Sequence, residues 1–375
     1  MKKLSKKLAI LLSAIMILTL CACGQQNDTP PSEAGGDQQS EEQAPADNQS
    51  PEEDQTPAAE PVADVKVGVI YTVAGLGGAS FNDVIHEGCL LAQEELGVTY
   101  EYVEPNTIAD EETVMDEMCS TGEYDLIICV GNEQKDAVTN VAGNYPDQKF
   151  CYIDASVDLP NIANYECLEN EGGFLIGALC AMAERDGLSD MFNAEKKFGF
   201  LGGVNNAIIN RFAAGFMAGA RYIDSSYDFE YDYVGGFADT TTAKAMATTM
   251  YNNGCDVVFH AAGGSGIGMF NAASELGFIA VGVNTNQNSL FPDNIIASML
   301  KRVDVVAYSA IKSVVDGSFE GGTVTLTLAD DGVGYTNEDS NIELTEDIVT
   351  ALDEIQQGII SGEIQVPMTI EEVLE

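Results

Sequence analysis

The chain has 375 residues, of which 60 are acidic and 16 are basic, so its formal net charge at pH 7 is −44. This negative charge argues against nucleic acid and anionic lipid as binding partners, because both would be repelled by an acidic surface. The length exceeds that of an average domain and predicts more than one compact unit.

The first residues have the pattern of a bacterial export signal. Four lysines within residues 2–7 precede an apolar run over 8–20, and small residues and two cysteines follow. The segment 20–24, LCACG, is similar to a lipobox, in which a small residue precedes the acylated cysteine. Ala22 meets this requirement for Cys23, whereas the bulky Leu20 precedes Cys21. We therefore predict lipidation of Cys23, which would anchor the protein on the extracytoplasmic face of the cell membrane. The alternative is an ordinary signal peptide with two incidental cysteines.

Residues 24–63 are rich in Gln, Glu, Asp, Pro and Ser and have almost no large apolar side chain. This composition cannot offset the entropy of ordering through burial, so it predicts a disordered acidic linker. Seven cysteines follow Cys23, and none of them forms a C-x-x-C pair. Their odd number and scattered spacing predict buried free thiols.

From residue 65 onward, short apolar runs alternate with helical patterns, which predicts an α/β fold with parallel sheets. The predicted strands are VKVGVIY, TYEYVE, DLIICVG and KFCYIDA in the first half, then KKFGFLGG, FEYDYVGG, DVVFHAAGG and FIAVGVN. The predicted helices cover 82–96, 172–185, 210–223, 241–253 and 266–276. This repeated order predicts two doubly wound lobes. Ligands of such sheets bind beyond the carboxyl ends of the strands, which directs attention to loops 71–82, 131–136, 202–212, 262–266 and 284–287.

Two of these loops lead to a phenylalanine near the start of a helix. Phe81 follows the glycine-rich loop of the first half, and Phe212 follows the corresponding loop of the second half. Two rings facing across a cleft would hold a flat heterocycle by stacking. The alternatives are that Ser80 or Asn82 caps the helix while Phe81 packs inward, and that Phe212 and Phe216 form a core stripe.

The segment HAAGGSGIGMF follows a predicted strand, so backbone N–H groups of Gly263 and Gly264 could contact a ligand oxygen. The segment is also a weak match to a dinucleotide fingerprint, but the acid expected about 20 residues later is Asn284. Signals for catalysis are few. The two histidines, His86 and His260, lie within a predicted helix and a predicted strand, and no metal-ligand spacing is present. We predict a binding protein with no cofactor and no metal rather than an enzyme.

The residues from about 65 to 334 resemble the basic membrane protein family, the purine-nucleoside-receptor-type substrate-binding lipoproteins of ABC importers. The matching segments are GGASFN, DLIICVGNEQKDAV, KFCYIDASVD, NEGGFLIGALCA, FGFLGG, NRFAAGFMAGA, DVVFHAAGGSGIGMFNAA, AVGVNTNQ, IASMLKRVDVVAY and GGTVTLTLADDGVG. The resemblance implies the clamshell fold of type I periplasmic binding proteins, in which two lobes are joined by three crossover segments and close on a ligand.

The resemblance also implies roles for individual residues. Phe81 and Phe212 match base-stacking aromatics, Asp136 matches a polar contact from the first lobe, and Lys301 matches a lysine that bonds sugar hydroxyls. Gly263 and Gly264 match backbone near the sugar, and we include Asn82 and Asn284 among the candidate ligand contacts. Three positions depart from the family pattern, because Thr72, Gly78 and Asn284 stand where acids are usual. A carboxylate accepts bonds from both hydroxyls of a diol, whereas an amide offers one acceptor oxygen.

These observations predict the following organisation: signal peptide and lipobox at 1–23, linker at 24–63, an N-lobe of 64–168 with 293–320, and a C-lobe of 169–292 with 321–375. The predicted function is capture of a nucleoside, most readily a purine nucleoside, or a related heterocycle such as a free nucleobase, for delivery to an ABC permease. We expect a lipid-anchored monomer. The alternatives are a sugar or autoinducer receptor of the same fold and a co-receptor that presents ligand to a membrane signalling kinase.

Overall fold

The computed structural model describes residues 64–193 and 195–375. The predicted signal peptide, the lipidation site Cys23 and the linker lie outside the described residues. Within them, the strands are β1 Lys66–Ile70, β2 Thr99–Val103, β3 Leu126–Val130, β4 Phe150–Ile153, β5 Ile162–Cys167, β6 Lys197–Gly202, β7 Asp228–Tyr233, β8 Val257–Ala261, β9 Ile279–Asn284, β10 Ile295–Lys301, β11 Gly322–Leu326 and β12 Val333–Thr336.

The α-helices of the same residues lie between strands, except that the last two follow the last strand. They are α1 Phe81–Leu96, α2 Glu111–Thr121, α3 Lys135–Asn144, α4 Glu169–Asp186, α5 Ala207–Ile223, α6 Thr240–Asn252, α7 Gly266–Leu276, α8 Val303–Val315, α9 Glu346–Ile360 and α10 Ile370–Leu374. None of them is both long and apolar enough to cross a membrane.

Two six-stranded sheets form the framework of two lobes. The first has the order β11-β5-β4-β3-β1-β2, and all of its strand pairs are parallel. The second has the order β12-β10-β9-β8-β6-β7, in which the edge strand β12 is antiparallel. Helices α1 and α8 pack on one face of the first sheet and α2 and α3 on the other. The second sheet lies between α4, α5 and α9 on one face and α6 and α7 on the other. The predicted α/β fold with two doubly wound lobes is confirmed.

The sequence pattern explains why the central strands are buried on both faces. All five residues of β3, LIICV, are buried, as expected for a parallel strand covered by helices on both sides. Glycines then bring α4 and α5 into close contact, because a Cβ on Gly215 would lie 2.0 Å from the backbone oxygen of Asn170. The seven cysteines of the described residues are all buried free thiols, as predicted.

The chain passes between the sheets three times, after β5, after β10 and after β11. The lobe boundaries that these crossings define differ from the lobe ranges predicted from the sequence. The expected N-lobe segment 293–320 contains β10, which pairs with β9 in the second sheet. The expected C-lobe segment 321–375 contains β11, which pairs with β5 in the first sheet. An apolar run identifies a strand but does not identify its partner, and here the two strands joined by α8 belong to different sheets.

Candidate functional site

A cavity of about 300 Å³ lies between the lobes, at the carboxyl ends of the strands. All five candidate loops contribute residues to it. The sequence-predicted residues that line the cavity are Phe81, Asn82, Phe212, Gly263, Gly264, Asn284 and Lys301. Its volume lies at the lower end of the range of small-molecule pockets, roughly 300–1,000 Å³.

Asp136 is the predicted site residue that the structure does not bring to the cavity. It is exposed in the first turn of α3. A 3₁₀ turn at Asn132–Gln134 precedes this helix, so Asn132 and Glu133, rather than Asp136, line the cavity.

The loop before α1 is fixed by its own polar side chains. Asp83 accepts hydrogen bonds from the backbone N–H groups of Gly77 at 2.7 Å and Ser80 at 3.1 Å. The Asn82 amide donates to the Gly75 oxygen at 2.8 Å and to Thr72 Oγ1 at 3.0 Å. Asn82 therefore organises the loop that carries Phe81, the first residue of α1.

Phe212 reaches the cavity from α5 of the second lobe. The helix is capped by Asn206, whose side-chain oxygen accepts from the Ile209 N–H at 2.9 Å. Phe216 lies one turn further along, fully buried against Phe198 and Phe259. Phe212 therefore lines the cavity, whereas Phe216 is a core residue.

The Lys301 ammonium group lies near both candidate aromatic rings. Its Nζ is 5.2 Å from the ring centroid of Phe81 and 5.7 Å from that of Phe212. Lys301 is 1% exposed, and it donates to Asp154 Oδ2 at 2.6 Å and contacts Glu169 Oε1 at 2.9 Å. Arg211 Nε contacts the other oxygen of Glu169 at 2.7 Å. We call Asp154, Glu169, Arg211 and Lys301 the buried charge network.

This network balances two carboxylates with two cations. Burial alone would lower the pKa of Lys301, but the charges of Asp154 and Glu169 outweigh it and hold that pKa above its ordinary value. Burial raises the pKa of Asp154, and attraction from Lys301 opposes that rise. Lys301 therefore stays charged at neutral pH, and its charge is already compensated by protein carboxylates.

Contacts between loops connect the two lobes beside the cavity. Asn284 Nδ2 donates to Ser80 Oγ at 3.0 Å, and Gln287 Nε2 donates to the Ala79 oxygen at 2.8 Å. Gly78 and Gly264 also approach closely, since a Cβ on Gly78 would lie 3.2 Å from Gly264 Cα. Gly78 and Asn284, two positions at which the family resemblance implies acids, thus make contacts between the lobes.

Several cavity residues were missed by the sequence reasoning. They are Asn132, Glu133, Asp154, Asn206, Ile208 and Phe237. Asp154 had a usable signal, because an acid directly follows the apolar strand FCYI. Phe237 follows two glycines after β7, and its ring packs so closely on Gly203 that a Cβ there would lie 2.2 Å from it.

Neither histidine lines the cavity. His260 is fully buried, and burial lowers its pKa to about 4, so it is neutral at physiological pH. Within residues 64–193 and 195–375, no group of three or more His, Cys, Asp or Glu side chains could hold a metal ion. The aromatic and polar side chains that line the cavity offer stacking and hydrogen bonding to a ligand.

Comparisons with known proteins are consistent across sequence and structure. The profile of the family described as "ABC transporter substrate-binding protein PnrA-like" matches residues 64–369. A solved structure of an ABC transporter solute-binding protein from Aeropyrum pernix K1 is 32% identical, with a TM-score of 0.75, covering 82% of this chain and 95% of that one.

Two curated relatives extend this similarity. An uncharacterized lipoprotein of Pyrococcus abyssi is 32% identical over 294 residues, which cover 75% of this chain and 71% of that protein. The "ABC transporter nucleoside-binding protein BmpA" of Lactococcus lactis is 29% identical over 327 residues, which cover 81% of this chain and 89% of that protein.

Proposed function

Because the chain belongs to the PnrA-like family of ABC transporter substrate-binding proteins, we propose that it captures a nucleoside, most readily a purine nucleoside, or a related heterocycle. The ligand is held between the two lobes and delivered to a membrane permease. Members of this family are substrate-binding proteins and not enzymes.

One observation carries the choice of ligand, namely that each lobe contributes an aromatic ring to the same cavity. Phe81 comes from the first lobe and Phe212 from the second, and Lys301 Nζ lies within 6 Å of both ring centroids. A flat heterocycle gains roughly 1–3 kcal/mol from each stacking contact. The name of the Lactococcus lactis relative, a nucleoside-binding protein, supports the same ligand class.

Delivery requires the protein to stay near its permease. The lipid on Cys23 would provide that tether, with residues 24–63 between the anchor and the binding lobes. The names of relatives as lipoproteins support this anchoring on the extracytoplasmic face. We propose a monomer, because one chain supplies both walls of the cavity.

The experiment is isothermal titration calorimetry of the purified protein with guanosine, adenosine, inosine, free bases, simple sugars and autoinducers. We expect dissociation constants to be lowest for purine nucleosides. Phe81→Leu and Phe212→Leu should each raise them by roughly 5- to 160-fold, the equivalent of one stacking contact.

The matched control is Phe319→Leu, which changes a half-buried ring outside the cavity. It should leave the dissociation constants unchanged. Binding of sugars or autoinducers alone, or nucleoside binding that survives both cavity substitutions, would reject the proposal.

A further inference from the structure

Three acids line the cavity, and two of them are already engaged by the protein. Asp83 accepts from two backbone N–H groups of its own loop. Asp154 is bonded to Lys301. Glu133 differs, because no side chain among residues 64–193 and 195–375 donates a hydrogen bond to it.

The backbone that carries Glu133 is rigidly held. The neighbouring Gln134 is fully buried, accepts from the Val130 N–H at 3.1 Å and donates to the Tyr71 oxygen at 3.1 Å. On the other side, Tyr152 donates to the Gly131 oxygen at 3.0 Å. Gly131 has a φ of 88°, and a Cβ there would lie 2.7 Å from Glu133 Oε2. The glycine thus allows the carboxylate to fold back onto a loop that lines the cavity.

The charges around Glu133 make its ionised form costly. Burial raises its pKa, and the nearby charge of Asp154 adds to that rise. The Lys301 cation cannot offset this cost, because it is already compensated within the buried charge network. Hydrogen-bond donors from a ligand would stabilise the Glu133 carboxylate, and an acceptor or anion would not.

We propose that Glu133 is a specificity-determining residue that accepts hydrogen bonds from two adjacent neutral donors of the ligand. This inference rests on the proposed function. Two parts of a nucleoside have the required pair of donors, the two vicinal hydroxyls of the ribose and the N–H edge of an amino-substituted purine.

The test measures dissociation constants of the wild-type protein and Glu133→Gln by calorimetry. Guanosine has both donor pairs, inosine has the diol but a single N–H on its base edge, and 2′-deoxyguanosine has the edge but no diol. We expect Glu133→Gln to raise the dissociation constant at least tenfold for the ligands that carry the recognised pair. If affinity falls for guanosine and 2′-deoxyguanosine but not for inosine, Glu133 recognises the base edge. If affinity falls for guanosine and inosine but not for 2′-deoxyguanosine, Glu133 recognises the diol.

Glu117→Gln removes the same charge from an exposed position on α2 and should change no dissociation constant by more than threefold. If Glu133→Gln does not fold, Glu133→Asp, which keeps the charge and withdraws the carboxylate, should show the same selective loss. Equal effects on all three ligands, or no effect on any, would overturn the inference while leaving the proposed function intact. Failure of the wild-type protein to bind any nucleoside would overturn both.

Discussion

Asn284 and Ser80 are 204 positions apart in the chain, yet the amide Nδ2 of Asn284 donates a hydrogen bond to Ser80 Oγ at 3.0 Å. Ser80 precedes α1 in the first lobe, and Asn284 ends β9 in the second. Asn284 is 8% exposed and has a φ of 70°, a left-handed conformation that asparagine tolerates better than most residues. The Asn284 amide, at a position where the family resemblance implies an acid, therefore connects the lobes at the edge of the cavity.

Loss of this bond should weaken ligand retention. Ser80→Ala and Asn284→Gly each remove it, and Gly keeps the left-handed backbone accessible. A net hydrogen bond is worth about 0.5–1.5 kcal/mol, so each variant should raise the guanosine dissociation constant roughly 2- to 12-fold, mainly through faster release. Stopped-flow dissociation rates provide the measurement. The double variant should raise the dissociation constant no more than the more damaging single variant does. Additive increases would contradict a shared bond.

Introducing at position 284 the acid that the family resemblance implies should change the preference of the site for nucleoside over free base. Asp tolerates the left-handed conformation, and its carboxylate can still accept from the Ser80 hydroxyl. We expect Asn284→Asp to increase the affinity for guanosine relative to free guanine by about threefold or more, as a second acceptor oxygen becomes available to a diol. Paired calorimetric titrations measure this ratio. An unchanged ratio would show that position 284 serves lobe contact alone.

Sequence periodicity was sufficient to predict the two lobes and the loops at their strand ends. Phe81, Phe212 and Lys301 meet in the cavity, although more than 200 residues separate the first from the last. Strand runs and glycine loops are local signals, and the rule that ligands bind at the carboxyl ends of parallel strands converts them into a three-dimensional expectation. Lys301 was predicted to be a site residue because of the family resemblance and not because of its spacing in the sequence.

Features that depend on pairing across the chain could not be predicted in this way. The contact between Asp154 and Lys301 joins residues 147 positions apart, and no local pattern identifies it. The assignment of β10 and β11 to opposite lobes depends on strand partners rather than on strand character. At Asp136, a 3₁₀ turn before α3 changed which residue of the loop reaches the cavity. Hydrophobic periodicity does not predict the backbone conformation of a single turn.

The buried charge network should make Lys301 important for stability as well as for binding. Lys301→Met leaves Asp154 and Glu169 without their shared cation, and breaking a buried pair costs about 3–5 kcal/mol. Urea denaturation should show this loss in the free energy of unfolding. The exposed pair of Lys312 and Asp316 provides the control, since Lys312→Met should cost about 0.5 kcal/mol or less. Equal effects of the two substitutions would contradict the role of the buried network.

The cavity should reject phosphorylated ligands. Asp83, Glu133 and Asp154 line it, and the ammonium group of Lys301 is already bonded to carboxylates. Among the described residues that line the cavity, Lys301 is the one Lys or Arg, so a phosphate would bring further negative charge without a free cation there to receive it. We expect guanosine 5′-monophosphate to bind at least about tenfold more weakly than guanosine. Guanosine with an uncharged 5′-O-methyl group controls for size, and if that compound is weakened as much as the phosphate, crowding rather than charge is responsible.

Glu111 should make the stability of the protein depend on pH. It is 1% exposed, its Oε1 lacks a hydrogen-bond partner within the described residues, and burial together with the charge of Glu133 raises its pKa to about 7. Between the ordinary pKa of about 4.5 and this value, the folded state binds more protons than the unfolded state. The free energy of unfolding must therefore fall as pH rises through this window.

Glu111→Gln removes this titrating group, so the free energy of unfolding of the variant should fall less as pH rises. Relative to the variant, the wild-type protein should lose up to about 3 kcal/mol between pH 5 and pH 8, because each pKa unit corresponds to about 1.4 kcal/mol. Asp256, whose pKa burial also raises to about 7, is present in both proteins and cancels in the comparison. Urea denaturation at pH 5, 6, 7 and 8 measures the difference. Parallel curves for the two proteins would mean that Glu111 keeps an ordinary pKa in the folded state.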